Sequence, residues 1–376
     1  MSRASVTVLS APARAAQSAP AAVLRRLADA VPIIQSRAAE LDREPVFPAE
    51  DMDLLRQIGA LEVFGSSAPK PLELMQALRL VGRANLSLGR LFEGHVNGAR
   101  LVEWYGEDAQ RRRLARDLVD GAVFGVWNTE PAPGVRIVRG ASGEVLAGAK
   151  SYASGAGAIQ RAIVTAIDPS GARRMVLVDG DDPLRADPAA WRVRGMKATL
   201  SGLYHLDGLP VDAETLVGGA DDYQREPRFS AGAWRFTAVQ LGGVERILGL
   251  IRNHLVAAPD HGGMVHRARF ASAVAATRTA WLWVREAAMR AEAEEAGSDE
   301  VALVLMTRGV LERAGLEVME AAARLVGTRA FFTDHPIDLA CRDLALYLRQ
   351  PAPDQAADRA AQSLLLKDAW REDPLW

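Results

Sequence analysis

The sequence predicts an α+β protein with an N-terminal helical domain, a middle β-barrel or sandwich domain and a C-terminal four-helix bundle. Three observations predict it. Apolar residues recur at three- and four-residue spacings from Ala21 to about Leu118. From Ala122 to Val217 they come in short runs divided by turns. From Phe229 long amphipathic patterns return and hold to the end. The domain boundaries follow: a disordered tail over 1–20, helices over 21–120, the β domain over 121–225 and the bundle over 226–376.

In the first part, Val23, Leu24, Leu27, Ala30, Val31 and Ile34 form one helical stripe. Phe47-Pro48-Ala49-Glu50 opens a second helix, with proline in its first turn and acids following. Pro71 to Leu88 and Leu91 to Tyr105 read as two more, the second stopped by Gly106. In the middle part the strand signals are Val123–Trp127, Val145–Ala147, Ala162–Ala166, Met175–Val178, Trp191–Val193 and Leu203–Leu206. Asp168-Pro169-Ser170-Gly171 and Asp179-Gly180-Asp181-Asp182-Pro183 are turns between them. The last part predicts helices over Phe236–Leu255, Val265–Glu294, Asp299–Leu325 and Pro336–Leu348, with small residues such as Ala271, Ala273, Ala275 and Ala276 suited to close packing.

The 376 residues are 49% apolar and 24% charged, an ordinary balance for large buried cores. A net charge of -2 gives no electrostatic reason to expect nucleic acid or a membrane surface. The only cysteine, Cys341, cannot form an internal disulfide and reads as an inert buried thiol in a reducing compartment. No apolar run has the length of a membrane span, and the Ala- and Ser-rich start lacks the apolar block of a signal peptide, so the expected location is cytoplasmic. There is no Gly-x-Gly-x-x-Gly after a strand, no P-loop and no metal-ligand spacing of His and Cys.

Two segments carry the chemistry. Asn128-Thr129-Glu130-Pro131 reads as a strand breaking into a turn, because Pro131 cannot donate to a ladder. Lys150-Ser151-Tyr152-Ala153-Ser154-Gly155 reads as a second strand end. Each puts a hydroxyl, Thr129 or Ser154, beside backbone groups freed from the sheet, an edge suited to a flat polar ring.

The order of these and other motifs resembles the acyl-CoA dehydrogenase superfamily of flavoproteins, over about Leu24 to Asp368. Phe47-Pro48 with Leu54 to Gly59 is similar to that family's early helix, and Tyr105-Gly106-Glu107-Asp108-Ala109-Gln110 to its helix junction. Phe124 to Pro131 and Gly148 to Gly155 resemble its two flavin strands. Leu206 to Gly218, Gly327-Thr328, Pro336 and Arg342-Asp343 fall in order at later family positions. The resemblance implies FAD, a homodimer or homotetramer with flavin shared across an interface, and oxidation of the CH–CH bond of an acyl thioester such as an acyl-CoA. It places Val126, Asn128, Thr129, Tyr152 and Ser154 along the isoalloxazine. It brings Arg324, Gly327 and Thr328 towards a neighbouring subunit's cofactor.

The chain departs from the family pattern where the reaction needs a base. The glutamate position, counted from Arg342, falls on Pro351, and the alternative position before Arg235 holds Trp234. Asp354 is the nearest acid; Asp334 and Glu130 are further substitutes. Pro133-Gly134-Val135-Arg136 replaces Gly-Ser-Asp, and Ala258 to Gly263 replaces the Arg-x-x-Phe-Gly that clamps a neighbour's FAD. His266 stands where the family has Gln.

Three functions therefore fit. The first is an acyl-CoA dehydrogenase-like flavin oxidoreductase, with Asp354 as candidate base. The second is a flavin monooxygenase on the same fold, which needs no carboxylate because reduced flavin and oxygen give a C4a-hydroperoxide. His95, Asn97 and His335 are its candidate polar aids. The third is a non-catalytic flavin-binding relative. The partner expected in the first two is a small molecule.

Overall fold

The structure, a computed structural model, describes residues 19–350 and 352–366. Pro351, the expected tail up to residue 18 and residues 367–376 lie outside the described residues.

The first helix, α1 (Pro20–Arg43), buries the stripe Val23, Leu24, Leu27, Ala30, Val31 and Ile34 that its spacing predicts. Short helices α2 (Ala49–Gln57) and α3 (Ala60–Gly65) follow, separated at Gly59, whose φ of 80° only glycine adopts cheaply. Next come α4 (Pro71–Ala84) and α5 (Leu86–Tyr105). Their junction is the single extended residue Asn85, whose Oδ1 accepts from Leu88 N at 3.1 Å and caps α5. The predicted break between Leu88 and Leu91 thus moves to the residue able to satisfy an orphan amide. Helix α6 (Asp108–Val119) then leads into the sheet.

The β region contains β1 (Phe124–Trp127), β2 (Arg136–Arg139), β3 (Glu144–Ala147), β4 (Ala149–Lys150), β5 (Arg161–Ile167), β6 (Arg173–Asp179), β7 (Ala186–Asp187), β8 (Leu203–His205), β9 (Pro210–Val211) and β10 (Leu216–Val217). One mixed sheet runs β10-β6-β5-β2-β3-β9, and a smaller one runs β4-β8-β7. Strand β1 pairs parallel with the start of β5, Phe124 opposite Arg161, while β2 meets the same strand's other end at Ile167. That double use of one edge curls the sheet. Trp191–Val193, expected as a strand, is irregular instead: Trp191 Nε1 donates to Met196 O at 3.1 Å and closes a loop.

The C-terminal helices are α7 (Arg228–Ala231), α8 (Trp234–Ala257), α9 (Gly263–Ala291), α10 (Ser298–Val326), α11 (Pro336–Tyr347) and α12 (Pro353–Leu365). Helix α12 was not expected; only Ala356 and Ala360 of it are buried, too few to print an apolar stripe. Helices α4 and α5 pack on α8, so the two helical regions share one core with the sheet. The α4–α8 crossing brings backbones into contact: a Cβ on Gly82 would lie 2.1 Å from Val239 O, and one on Gly242 would lie 2.2 Å from Arg79 O.

Candidate functional site

The two strand ends singled out by sequence lie side by side, with Ser151 N donating to Thr129 O at 2.9 Å. Lys150 holds them together. Its side chain is wholly buried, and its ammonium donates to Asn128 O and Thr165 Oγ1, each at 3.0 Å, and pairs with Glu130. All three N–H donors are used. Burial lowers the ammonium's pKa and Glu130 opposes that shift. Glu130 is therefore a structural counter-ion. Glu130→Ala leaves a buried charge uncompensated and is expected to cost about 3 kcal/mol. Lys150→Met, which removes the charge with little change of shape, is expected to cost less. Urea midpoints of the two variants test this, and the reverse order would refute it.

Around the second strand end, Ser154 Oγ is 2.8 Å from Ser201 Oγ, which donates to Thr199 Oγ1 at 2.8 Å, which donates to Met196 O at 2.9 Å. Each hydroxyl has one proton, so Ser154 must donate into this chain and can offer only lone pairs outward. Thr199 and Ser201 carried no sequence signal; only the fold of their loop aligns them. The loop is anchored by Asp343, whose Oδ1 accepts from Met196 N at 2.5 Å. Burial pushes the Asp343 carboxyl up to about 7. Tyr152 is held at φ 53°, costly for a residue with a Cβ, and its ring is 60% exposed, edge-on to Trp191 at 6.0 Å.

Beside this shelf is a cavity of about 300 Å³ walled by α5, β1, α7, α8, α10 and α12. Helix α5 gives it Glu93, Asn97, Leu101 and Trp104, a stripe at helical spacing, and β1 gives Val126. Val126 is thus the point where the shelf meets the cavity. Asn128 stays beside Lys150, its Oδ1 accepting from Thr165 Oγ1 at 2.9 Å.

The cavity floor is a buried polar chain. Glu93 accepts from Arg90 and Asn97; Asn97 Oδ1 accepts from Arg235 Nε at 2.6 Å. Arg235 Nη1 and Trp234 Nε1 both donate to Glu292 Oε1, at 2.6 and 2.9 Å. Burial lowers the Arg235 pKa. Nearby, burial pushes Tyr223 up to about 12 and Tyr347 well above the usual phenol range, so both stay neutral. Among the described residues, Glu93 is the only carboxylate lining the cavity, and both its oxygens are already engaged.

Of the candidate catalytic residues, Asn97 lines the cavity, while His95, Asp354 and His335 lie elsewhere. His95 is fully buried: its Nδ1 accepts from Phe124 N at 3.1 Å, which leaves Nε2–H to donate to Leu61 O at 2.9 Å. It ties α5 to β1 and α3 and does not line the cavity. Asp354 is exposed in the first turn of α12 and does not line the cavity either. His335 caps α11, accepting from Ile337 N at 3.2 Å. Arg324 is exposed and paired with Glu320 at 2.7 Å. It lies about 24 Å along α10 from Arg308 of the cavity wall. Gly327 and Thr328 follow at that far end, so none of the three meets this cavity within one chain. Burial pushes the Cys341 thiol up to about 12, as an inert thiol requires.

No family model matches the chain, and no curated protein matches it by sequence. Solved structures do match it by shape. Dibenzothiophene monooxygenase TdsC from Paenibacillus sp. A11-2 superposes with a TM-score of 0.82 at 19% identity, covering 92% of this chain and 97% of that one. TdsC has also been solved with FMN and indole. KijD3, solved with FMN and a dTDP-linked amino-keto sugar, gives 0.81 at 21% identity, covering 93% and 94%. Methanesulfinate monooxygenase MsuC from Pseudomonas fluorescens gives 0.77 at 16%, covering 92% and 97%. The likeness spans both helical regions and the curled sheet between them, and it establishes that the chain has the acyl-CoA dehydrogenase-like fold that its motif order resembles.

Proposed function

We propose that the protein is a flavin-dependent monooxygenase that uses reduced FMN and oxygen on a small molecule bound in the α5–β1–α8 cavity. One observation carries this choice over acyl-CoA dehydrogenation. Among the described residues the cavity has no carboxylate free to remove an α-proton, since Glu93 is engaged by Arg90 and Asn97. Asp354, the substitute base, is on the outside of α12.

The residues present fit a flavin. An exposed aromatic ring, Tyr152, and an exposed hydroxyl, Thr129, flank two joined strand ends at the cavity edge. Val126, Asn128, Thr129, Tyr152 and Ser154 would hold the ring system, with Arg324, Gly327 and Thr328 contributed by a neighbouring subunit of a homodimer or homotetramer. FMN suits the chain better than FAD because Ala258 to Gly263 lacks the Arg and Phe of the family's FAD clamp. The FMN complexes of TdsC and KijD3 support the same choice. When bound, reduced flavin supplies the electrons that activate oxygen. The chain's own part is to keep the site dry and the substrate oriented. Leu101, Val126, Phe236 and Leu305 exclude water from the wall, and Asn97, locked between Glu93 and Arg235, presents a fixed amide.

The test pairs two measurements on the purified protein supplied with FMN. With a flavin reductase, a panel of small aromatics including indole is expected to give substrate-stimulated oxygen uptake and an oxygenated product. Under anaerobic conditions, acyl-CoAs of any chain length are expected to leave the oxidised flavin spectrum unchanged. Bleaching by an acyl-CoA overturns the proposal.

A further inference from the structure

The cavity carries an excess of cations. Among the described residues four arginines line it, Arg228, Arg235, Arg308 and Arg359, against one carboxylate, Glu93; Glu292 and Glu226, outside the lining, pair with Arg235 and Arg359. They differ in position. Arg235 is buried and committed to Asn97 and Glu292 on the floor. Arg308 lies over Phe236 at 5.3 Å and donates to Gln350 O. Arg228 and Arg359 are exposed, and they form the rim.

The rim pair is assembled from two helices distant in sequence. Arg228 is on α7, where its guanidinium covers the rings of Trp104 at 5.1 Å and Tyr105 at 5.6 Å. Among the described residues its guanidinium makes no hydrogen bond and no ion pair. Arg359 reaches over from α12 to Ser230 of the same short helix, donating to its Oγ at 3.1 Å, and forms an ion pair at 3.0 Å with Glu226 just before that helix. Cation–π contact with the two rings holds Arg228 at the rim while engaging none of its N–H donors. Below the rim, Leu101, Trp104, Phe236 and Leu305 give the wall an apolar, aromatic face above the polar floor, with Val126 at the β1 end.

Building on the reading of this cavity as the substrate site, we propose that the substrate is a flat, apolar molecule carrying one oxyanion, a carboxylate or sulfonate. Its anion docks at the Arg228–Arg359 rim, and its ring points inward between Trp104 and Phe236 towards β1. Guanidinium groups bind such oxyanions through charge-assisted, often bidentate hydrogen bonds. The arrangement also sets where the substrate reacts. With the charge held at the rim, the ring position farthest from the anion is the one presented to β1.

The same arginines could instead serve the phosphate of a bound flavin, so the experiment separates the two oxyanions. Calorimetric titrations use the full chain, with and without FMN. The probes are naphthalene-2-carboxylate and its uncharged carboxamide. The carboxylate is expected to bind at least about tenfold more tightly at low ionic strength. Arg228→Met and Arg359→Met keep the apolar stem and are exposed, so unchanged urea midpoints verify folding. Each is expected to weaken the carboxylate and leave the carboxamide unchanged, and the double variant to erase the preference. Equal affinity of the two probes, no binding of either, or a preference that survives the double variant overturns the proposal. So does a result in which the variants weaken FMN but not riboflavin, which would assign the rim to the cofactor's phosphate. Probe binding is read without turnover. An intact carboxylate preference with no oxygen uptake would therefore sink only the monooxygenase function, and the reverse result only the anion rim.

Discussion

Gly82→Ala and Gly242→Ala are each expected to destabilise the protein by about 3 kcal/mol or more, whereas Gly249→Ala is expected to be neutral or slightly stabilising. The first two glycines form the α4–α8 crossing. An added Cβ at Gly242 meets Arg79 O at 2.2 Å and Arg83 N at 2.5 Å, and one at Gly82 meets Val239 O at 2.1 Å. These obstacles are backbone atoms in helices, which cannot swing aside as a side chain can. The helices must separate, and the loss of packing spreads along both. Gly249 is on the same α8 but would meet nothing within 4 Å. There alanine brings only its helix propensity, up to about 1 kcal/mol in favour. Urea denaturation of the three variants side by side is the check. If Gly249→Ala falls as far as Gly242→Ala, the helix itself, and not the crossing, is the sensitive element.

The second large effect is hidden in the unaltered protein because two buried groups oppose each other. Burial pushes His95 from an ordinary 6.5 down to about 4. A lowered folded pKa means that its contribution is complete above pH 6.5 and is lost as pH falls towards 4. The amount is about 3 kcal/mol. Burial pushes Asp343 from 3.8 up to about 7. A raised folded pKa has the opposite sign: its contribution is complete below about 4 and is lost as pH rises through 7. Between pH 4 and 6.5 the two slopes largely cancel. Asp343→Asn keeps an oxygen acceptor for Met196 N–H and removes the carboxyl proton. Relative to the parent, the variant is therefore expected to lose about 3 kcal/mol between pH 6.5 and 4. Urea midpoints across that range decide it, and identical profiles for the two proteins would sink the idea.

Much of the fold was legible in the spacing of apolar residues. The α1 stripe, the long runs of β5 and β6 and the three long C-terminal helices each bury a face wide enough to print itself on the chain. The misses have physical causes. Strand β2, Arg-Ile-Val-Arg, buries Ile137 alone, and α12 buries two alanines. Trp191, apolar enough to suggest a strand, packs in a loop through its indole N–H. The adjacency of Thr129 and Ser151 was legible from two strand ends and their order. The cavity was not, because its walls come from six elements between residues 86 and 365. Neither Arg228 nor Arg359 belongs to a motif, and no local pattern brings them together. His95 looked chemical because histidine titrates near neutrality, yet the same α5 that carries Asn97 to the cavity carries His95 into the core.

That division of α5 sets the terms on which this protein can acquire new specificity. The stripe through Glu93, Asn97, Leu101 and Trp104 faces the cavity, while Phe92, His95, Val96 and Ala99 on the same turns are sealed into the interior. The helix cannot slide or tilt to suit a larger guest without tearing the core. Remodelling must proceed by exchanging single side chains on a fixed rod. Helix α12, secured by Ala356 and Ala360 and giving the cavity its Arg359, is the opposite kind of wall. Substitutions on α12 are therefore expected to change what the cavity accepts at less cost in stability than substitutions along α5.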